Sequence, residues 1–184
     1  MKLKKLSFLC FVLFAQNVIG QNDNLSKPSL SLNGGINLPI NSTLNSGPEF
    51  DANLGLPFIH THLGLDLKAI YMANSYTYFK DHIFALQKGS LRQINGLVGF
   101  YFIISISQFS ITPYALAGIN NEEVNGYGGF DEQKAIYEIG LNLRYSISIK
   151  WFVGLNLGLL TNFSPEYYNN TVYLNLTGGV GYRF

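Results

Sequence analysis

Charged and amide side chains recur at every second position in several stretches of this sequence, and they are the residues best suited to chemistry. Alternate residues of a β-strand lie on the same face of the sheet, so this spacing collects them on one face of the predicted strands. The residues of this face are Glu49, Asp51, Asp66, Lys68, Glu138, Asn142, Arg144, Asn156, Asn175 and Arg183. A charge held away from bulk water is favourable only when it is paired. The spacing therefore predicts a network of paired side chains made by Asp66, Lys68, Glu138 and Arg144.

The three histidines raise two other kinds of chemistry. His60 and His62 would face the same side of a strand, as metal ligands can, but no third ligand is evident nearby. His82 with Asp81 is the only loop candidate for catalysis by a nucleophile and a base, but no serine-containing signature accompanies the pair. We therefore expect no metal site, no cofactor and no catalytic site, and the sequence favours a protein that is not an enzyme.

Eight stretches carry apolar residues at every second position, which is the pattern of β-strands. The predicted strands are 29–39, 49–58, 62–72, 93–104, 109–119, 135–145, 151–159 and 171–184. The last of them alternates most strictly and ends on an apolar aromatic residue. Pro113 leaves the parity of the fifth strand open and suggests a bulge there, because proline has no amide N–H to donate.

The connections between these strands alternate in length. Short ones around His60, at 105–108 and at 147–150 alternate with longer polar ones at 41–48, 74–88, 120–133 and 163–170. Long and short connections therefore lie at opposite ends of an up-and-down antiparallel sheet. Aromatic residues near the short connections are Phe58, Phe109, Tyr145, Trp151, Tyr182 and Phe184. Those near the long ones are Tyr71, Tyr76, Tyr78, Tyr137, Tyr167, Tyr168 and Tyr173. Two such groups predict aromatic girdles at two membrane interfaces.

The first twenty residues have the order of a secretory signal peptide. An apolar run of roughly ten residues, too short to span a membrane as a helix, follows three cations, which are Lys2, Lys4 and Lys5. We place cleavage after Gly20, so that Cys10, the only cysteine, is part of the leader. The chain from residue 21 then has no thiol for a disulfide or a metal.

Charge is scarce in this chain. Asp, Glu, Lys and Arg make up 12% of it, against about 25% in ordinary globular proteins. Without the three leader lysines, nine basic residues stand against eleven acidic ones, so nothing here attracts nucleic acid. Since no run of 18 apolar residues follows the leader, a helical membrane protein is excluded. A transmembrane β-barrel reconciles these facts, because only alternate residues of its strands contribute to the apolar exterior.

The terminal stretch Val180-Gly181-Tyr182-Arg183-Phe184 and the strand Thr112-Pro113-Tyr114-Ala115-Leu116-Ala117-Gly118 resemble the eight-stranded OmpA/OmpX-type outer-membrane β-barrels of Gram-negative bacteria. The resemblance implies an all-β, eight-stranded antiparallel up-and-down transmembrane barrel over residues 21–184, with short periplasmic turns and longer extracellular loops. It implies that both termini lie in the periplasm. It also implies contact with outer-membrane lipid and lipopolysaccharide, and an assembly signal for the barrel assembly machinery formed by Val180, Tyr182 and Phe184. No periplasmic peptidoglycan-binding domain is expected after the barrel.

The functional expectations follow from the size of such a barrel. Eight strands enclose an interior that side chains can fill, whereas wide aqueous channels need about sixteen strands. We therefore expect a structural or surface-interaction role, with a possible extracellular ligand at the tyrosine- and asparagine-rich loops. The first alternative is a narrow porin-like pore for ions or small solutes, with charged constrictions. The second is an outer-membrane lipid-modifying enzyme, for which Asp81 and His82 are the only loop candidates.

Overall fold

The computed structural model describes residues 27–40, 42–58, 62–80, 85–126, 131–163 and 171–184. Several features of the sequence lie outside the described residues. They are the predicted signal peptide, His60, His82 and the aromatic residues Tyr127, Phe130, Tyr167 and Tyr168. No helix long and apolar enough to cross a membrane occurs in the described part of the chain.

The described residues form one antiparallel sheet that closes on itself. Its strands are β1 (Ser29–Ile40), β2 (Gly47–Pro57), β3 (Leu63–Lys80), β4 (Ala85–Phe102), β5 (Ile104–Ile106), β6 (Phe109–Asn125), β7 (Asp131–Ser146), β8 (Trp151–Phe163) and β9 (Val172–Arg183). From β1 to β4 and again from β5 to β9, each strand pairs with the next along the chain; β9 also pairs with β1, and β4 pairs with β6. Because β4 and β5 are consecutive parts of one strand, the sheet is a closed eight-stranded barrel. The predicted fold class is confirmed.

The bulge expected at Pro113 is absent. β4 pairs with β6 up to Tyr101 opposite Tyr114, and β5 resumes the pairing with Ile104 opposite Ile111. The register is the same on both sides of the interruption, so no residue is inserted. Proline cannot donate a ladder hydrogen bond, and the pairing is interrupted beside it without a shift. The residues of β6 that face the lumen therefore include Thr112, Tyr114 and Leu116.

Two of the long connections predicted from the sequence are mostly strand. β3 and β4 are 18 residues each, β6 has 17 and β7 has 16, so the predicted connections 74–88 and 120–133 are wrong over most of their length. Beyond the apolar band the outward residues are polar, among them Ser75, Arg92, Asn121 and Glu123. The alternation of polarity disappears there although the strand continues. We call this end of the barrel the extended end and the opposite one the turn end.

The two faces of the strands are those of a membrane barrel. Leu141 and Leu155 face outward with 43% and 47% of their surface exposed, whereas Glu138 and Asn156 face the lumen with 0% and 3% exposed. An apolar exterior around a polar interior is confirmed. The interior is not uniformly polar, however, because it also holds an apolar cluster that includes Ile70, Met72, Leu116, Ile136 and Leu160.

An aromatic girdle surrounds the turn end. Phe58, Phe109, Tyr145, Trp151 and Phe184 are exposed there, and Tyr182 lies between the rings of Trp151 at 5.0 Å and Phe184 at 5.5 Å. Tyr71 and Tyr137 are exposed toward the extended end. Tyr173 was assigned wrongly to this second girdle. It is 1% exposed, because it shares the parity of Asn175 and so faces the lumen.

The position of Leu155 at the middle of the apolar band yields a test. A cation at the bilayer midplane of a barrel costs about 2–4 kcal/mol and much less near the interface. We expect Leu155→Arg to lower the free energy of unfolding by that amount in a urea titration of the barrel in phospholipid vesicles. The control Gln133→Arg, on the outer face of the extended end, should change it little. Equal costs for the two variants would show that the exterior around Leu155 does not face lipid.

Candidate functional site

The centre of the lumen holds an ion pair between strands far apart in sequence. The Nζ of Lys68, on β3, lies 2.7 Å and 3.0 Å from the two carboxylate oxygens of Glu138, on β7. The hydroxyl of Tyr114 donates to the same carboxylate at 2.8 Å, and the Lys68 ammonium lies 5.3 Å from the centre of the Tyr114 ring. All three side chains are buried. The interaction is therefore a charge-assisted network held away from bulk water.

Two glycines make room for the ring of Tyr114. It lies opposite Gly140 on β7, which in turn lies opposite Gly158 on β8. A Cβ atom at either glycine would collide with the Tyr114 side chain. Tyr114 therefore crosses two strands, and its hydroxyl oxygen lies 2.9 Å from the side-chain oxygen of Asn156. The same arrangement recurs where an aromatic ring lies over a glycine directly opposite, in the pairs Tyr101 with Gly64 and Phe152 with Gly181.

Two other carboxylates of the predicted polar face are held by neutral donors. Asp51 accepts hydrogen bonds from Asn33 and from Thr177, the latter at 2.9 Å. Asp66 accepts one from Asn53 at 3.1 Å. The structure thus pairs Lys68 with Glu138, whereas Asp66 and Arg144 make no salt bridge with each other in the described part of the chain.

Glu49 and Asn175 complete the central layer. Both are fully buried in the lumen. Their side-chain oxygens have no hydrogen-bond partner among the described residues. All ten residues of the predicted polar face are buried, namely Glu49, Asp51, Asp66, Lys68, Glu138, Asn142, Arg144, Asn156, Asn175 and Arg183.

A pair of guanidinium groups occupies the turn end of the lumen. Arg144 and Arg183 both stack on Phe152, each with its Cζ atom 5.0 Å from the ring centre. Arg183 donates to Ser146 Oγ at 3.0 Å, and Arg144 makes a long hydrogen bond of 3.4 Å to Asn142. The phenyl ring thus makes a favourable cation–π contact with each of the two like charges.

A second ionic cluster lies in the extended end and was missed from the sequence. Glu122 accepts hydrogen bonds from Gln93 at 2.6 Å, Asn120 at 2.9 Å and Lys134 at 2.9 Å. Lys134 also lies 3.0 Å from Glu132. Burial lowers the pKa of the Lys134 ammonium, but the two carboxylates outweigh it and leave this pKa above its ordinary value. The signal in the sequence was the spacing of Asn120 and Glu122, which continues the period of two from Tyr114 and Leu116.

The structure describes little of the chemistry that the histidines raised in the sequence, because Asp81 and His82 lie outside the described residues. No group of three His, Cys, Asp or Glu residues that could hold a metal occurs in the described part of the chain. His62 is the one histidine of that part, and the ring of this residue packs 6.0 Å from that of Phe102. The arrangement is instead suited to holding charge in fixed pairs across the barrel.

The terminal residues Val180 and Phe184 are exposed on the outer face of β9, and Tyr182 lies between them. β9 is paired with β1 on one side and with β8 on the other. Recognition of Val180, Tyr182 and Phe184 by the barrel assembly machinery remains a prediction.

A closed eight-stranded barrel with an apolar exterior, an aromatic girdle and a charged, filled lumen has the architecture of the small outer-membrane barrels. Comparison with protein-family models gives no match, and comparison with curated proteins gives none either. Solved structures of outer-membrane barrels do match, and the predicted resemblance to the OmpA/OmpX-like fold is confirmed.

Three of these structures illustrate the similarity. Neisserial surface protein A aligns with a TM-score of 0.62 at 11% identity, over 85% of this chain and 97% of that chain. The outer membrane protein OprG from Pseudomonas aeruginosa aligns with a TM-score of 0.56 at 12% identity, over 86% and 97%. Ail, the attachment invasion locus protein of Yersinia pestis, aligns with a TM-score of 0.51 at 13% identity, over 86% and 97%. At these identities the similarity establishes the fold.

The central ion pair yields a stability test. Removing one member of a buried pair leaves the other charge uncompensated and typically costs about 3–5 kcal/mol. We expect Lys68→Met to lower the free energy of unfolding by that amount in vesicles, and the double variant Lys68→Met/Glu138→Gln to recover most of it. Arg92→Met is the matched control, because the exposed pair that Arg92 makes with Glu123 at 4.0 Å contributes about 1 kcal/mol at most. A double variant as unstable as Lys68→Met would contradict the pairing.

Proposed function

We propose that this protein is an integral outer-membrane barrel with a structural or surface-interaction role, in which the lumen is plugged and the extended end is the interacting surface. The observation that carries the proposal is the length of β3, β4, β6 and β7. A strand needs about 9–11 residues to cross a bilayer, and these four have 16 to 18. The additional residues rise beyond the apolar band as a continuous sheet, since β4 pairs with β6 up to Ser90 opposite Asn125.

The outer face of this sheet has the character of a binding surface at the membrane boundary. A groove of about 580 Å³ crosses it. Tyr71 and Ile94 lie along the groove as continuations of the apolar band, and Arg92, Glu123 and Glu132 supply charges beside them. Aromatic and apolar groups below charged groups suit a partner that lies in the interface, such as lipopolysaccharide.

The edge of the sheet offers a second mode of binding. The pairing of β3 with β2 ends at Met72, although β3 continues to Lys80. Part of this edge is covered, because Ser75 accepts a backbone hydrogen bond from Asn45 at 2.8 Å. An extended segment of an extracellular protein could add to the remainder by strand pairing. The descriptions of Ail as an attachment invasion locus protein and of the Neisserial protein as a surface protein are in keeping with such a role.

We also propose that the turn end of the barrel, where the first and the last strand residues lie, is in the periplasm. Ser29 of β1 pairs with Arg183 of β9, so both ends of the barrel chain are at the turn end. In this orientation the barrel assembly machinery would receive the strand that carries Val180, Tyr182 and Phe184. The role is not enzymatic, and lipid A mass spectra should be unchanged when the protein is expressed.

The orientation is tested with single cysteines, which is simple because the only native cysteine is Cys10 in the predicted leader. Gln133→Cys at the extended end should react with a membrane-impermeant maleimide on intact cells. Ser148→Cys, exposed at the turn end, should react only after the outer membrane is broken. Labelling of Ser148→Cys on intact cells, with Gln133→Cys protected, would reverse the orientation. A protein found in the soluble periplasmic fraction would remove the localisation altogether.

The plugged lumen is tested by conductance in planar bilayers. Because Lys68, Glu138 and Tyr114 are buried against one another, the native protein should give no steady openings. Arg92→Met, altered outside the lumen, should be equally silent. Steady openings of the native protein that change in Glu138→Ala would establish the narrow pore instead.

A further inference from the structure

A cavity of about 250 Å³ at the turn end of the barrel is lined by serine hydroxyl groups, Gln108 and one cation, together with the exposed apolar residues Phe109, Ile147 and Ile149. The residues that matter for its chemistry are Ser105, Ser110, Ser146, Ser148, Gln108 and Arg183. Since one water occupies about 30 Å³ of liquid volume, the cavity has room for a small polyatomic ion and several waters. The polar groups that line it are mainly hydrogen-bond donors of the kind that bind oxyanions.

A second guanidinium lies near the first, on the same Phe152 ring. A smaller cavity at the same end is lined by Arg144, Arg183 and Lys27, together with Ser110, which also lines the larger cavity. Arg144 is 8% exposed and Arg183 is 5% exposed. The two cavities, which share Ser110 and Arg183, are thus lined by three cations in all.

The donors of the two guanidinium groups are mostly unused. A guanidinium has five N–H donors, yet among the described residues these side chains make one hydrogen bond from Arg183 to Ser146 and one long bond from Arg144 to Asn142. None of the salt bridges in the described part of the chain includes Arg144 or Arg183. The Ser105 hydroxyl, which lines the larger cavity, is also buried with no partner among the described residues.

One carboxylate interacts with the charge of Arg144 at a distance, without forming a salt bridge. Asp66 faces Arg144, but it accepts a hydrogen bond from Asn53 and lies beyond salt-bridge distance of the guanidinium. Arg183 faces Arg144, another cation. Buried charges of like sign are costly together, and a bound anion relieves both their repulsion and their unsatisfied donors.

We propose that the larger of these cavities binds a phosphate group, with the Arg183 guanidinium as its principal ligand, serine hydroxyls as further donors and Arg144 as a second positive charge near it. Planar guanidinium groups bind phosphate through two parallel hydrogen bonds, which is the chemistry that arginine supplies better than lysine. The phosphate could belong to a soluble periplasmic anion or to the headgroup of an inner-leaflet phospholipid. The site is independent of the extended end and of the interaction proposed there.

The experiment is a titration of inorganic phosphate into the barrel folded in alkyl glucoside micelles, at constant ionic strength, followed by calorimetry. The native protein should bind phosphate saturably, and Arg183→Gln should weaken binding roughly tenfold or more, as expected for loss of a charge-assisted hydrogen bond. Lys150→Gln is the matched control, since Lys150 is a cation at the same end that stacks outside on Tyr182 at 5.7 Å. It should bind as the native protein does.

A second measurement on the native protein keeps the proposal testable if Arg183→Gln does not fold. The side-chain Nε–H resonance of Arg183 should shift with phosphate and saturate, while the backbone amide of Lys150 stays in place. No saturable shift, or equal weakening by Arg183→Gln and Lys150→Gln, would overturn the site. Repeating the titration in phosphatidylglycerol nanodiscs identifies the source of the phosphate. Loss of free phosphate binding there indicates a lipid headgroup, and unchanged binding indicates a soluble anion.

Discussion

Closure of the sheet is the constraint on which the other features of this protein depend. With β9 hydrogen-bonded to β1 and β4 to β6, the backbone groups of the wall are used within the wall, as a hydrocarbon environment requires. Because alternate residues of a strand face opposite sides of the wall, each side chain then faces either the lipid or the lumen. This alternation explains why charge is rare in the chain and why the charges within the apolar band lie in the lumen.

The side chains that face the lumen form layers along the barrel. Arg144 and Arg183 lie at the turn end around Phe152, Lys68 and Glu138 lie in the middle with Tyr114, and Glu122 with its donors lies in the extended end. Apolar residues such as Ile70 and Leu160 fill the space beside the polar groups. The Lys68–Glu138 pair in the middle carries no net charge, whereas the turn-end layer has two guanidinium groups that make no salt bridge in the described part of the chain. An ion pair without net charge is in keeping with a plug in the middle of the lumen. Guanidinium groups without a salt-bridge partner among the described residues are in keeping with a binding site at the turn end.

The sequence predicted those features that depend on the contrast between lipid and lumen. Along β8 and β9 every outward position in the band is apolar or glycine, so the strand, its parity and its two faces were all readable. The signal failed where the surroundings changed: β3 beyond Met72 and β6 beyond Ile119 face water on the outside, so alternate residues no longer differ in polarity. Tyr173 was misplaced because tyrosine suits both an interface and a polar lumen.

The partners within the lumen could not be read from the sequence. Parity placed Lys68 and Arg144 inside, but which cation meets Glu138 depends on the register of strands that are far apart in the chain. Tyr114 reaches Glu138 only because Gly140 and Gly158 lie opposite one another on successive strands. Such a path across three strands has no local signature. The bulge at Pro113 was a reasonable expectation for a missing donor, but the barrel interrupts its pairing there instead of shifting it.

The most direct test of the inverted arrangement uses the single tryptophan, Trp151, which is exposed on the outer face of the turn-end girdle. In vesicles that contain brominated phospholipids its fluorescence should be quenched, and bromine near the headgroup should quench more strongly than bromine near the end of the acyl chain. Aqueous iodide should quench it weakly. Strong quenching by iodide with none by brominated lipid would contradict an exterior that faces the membrane.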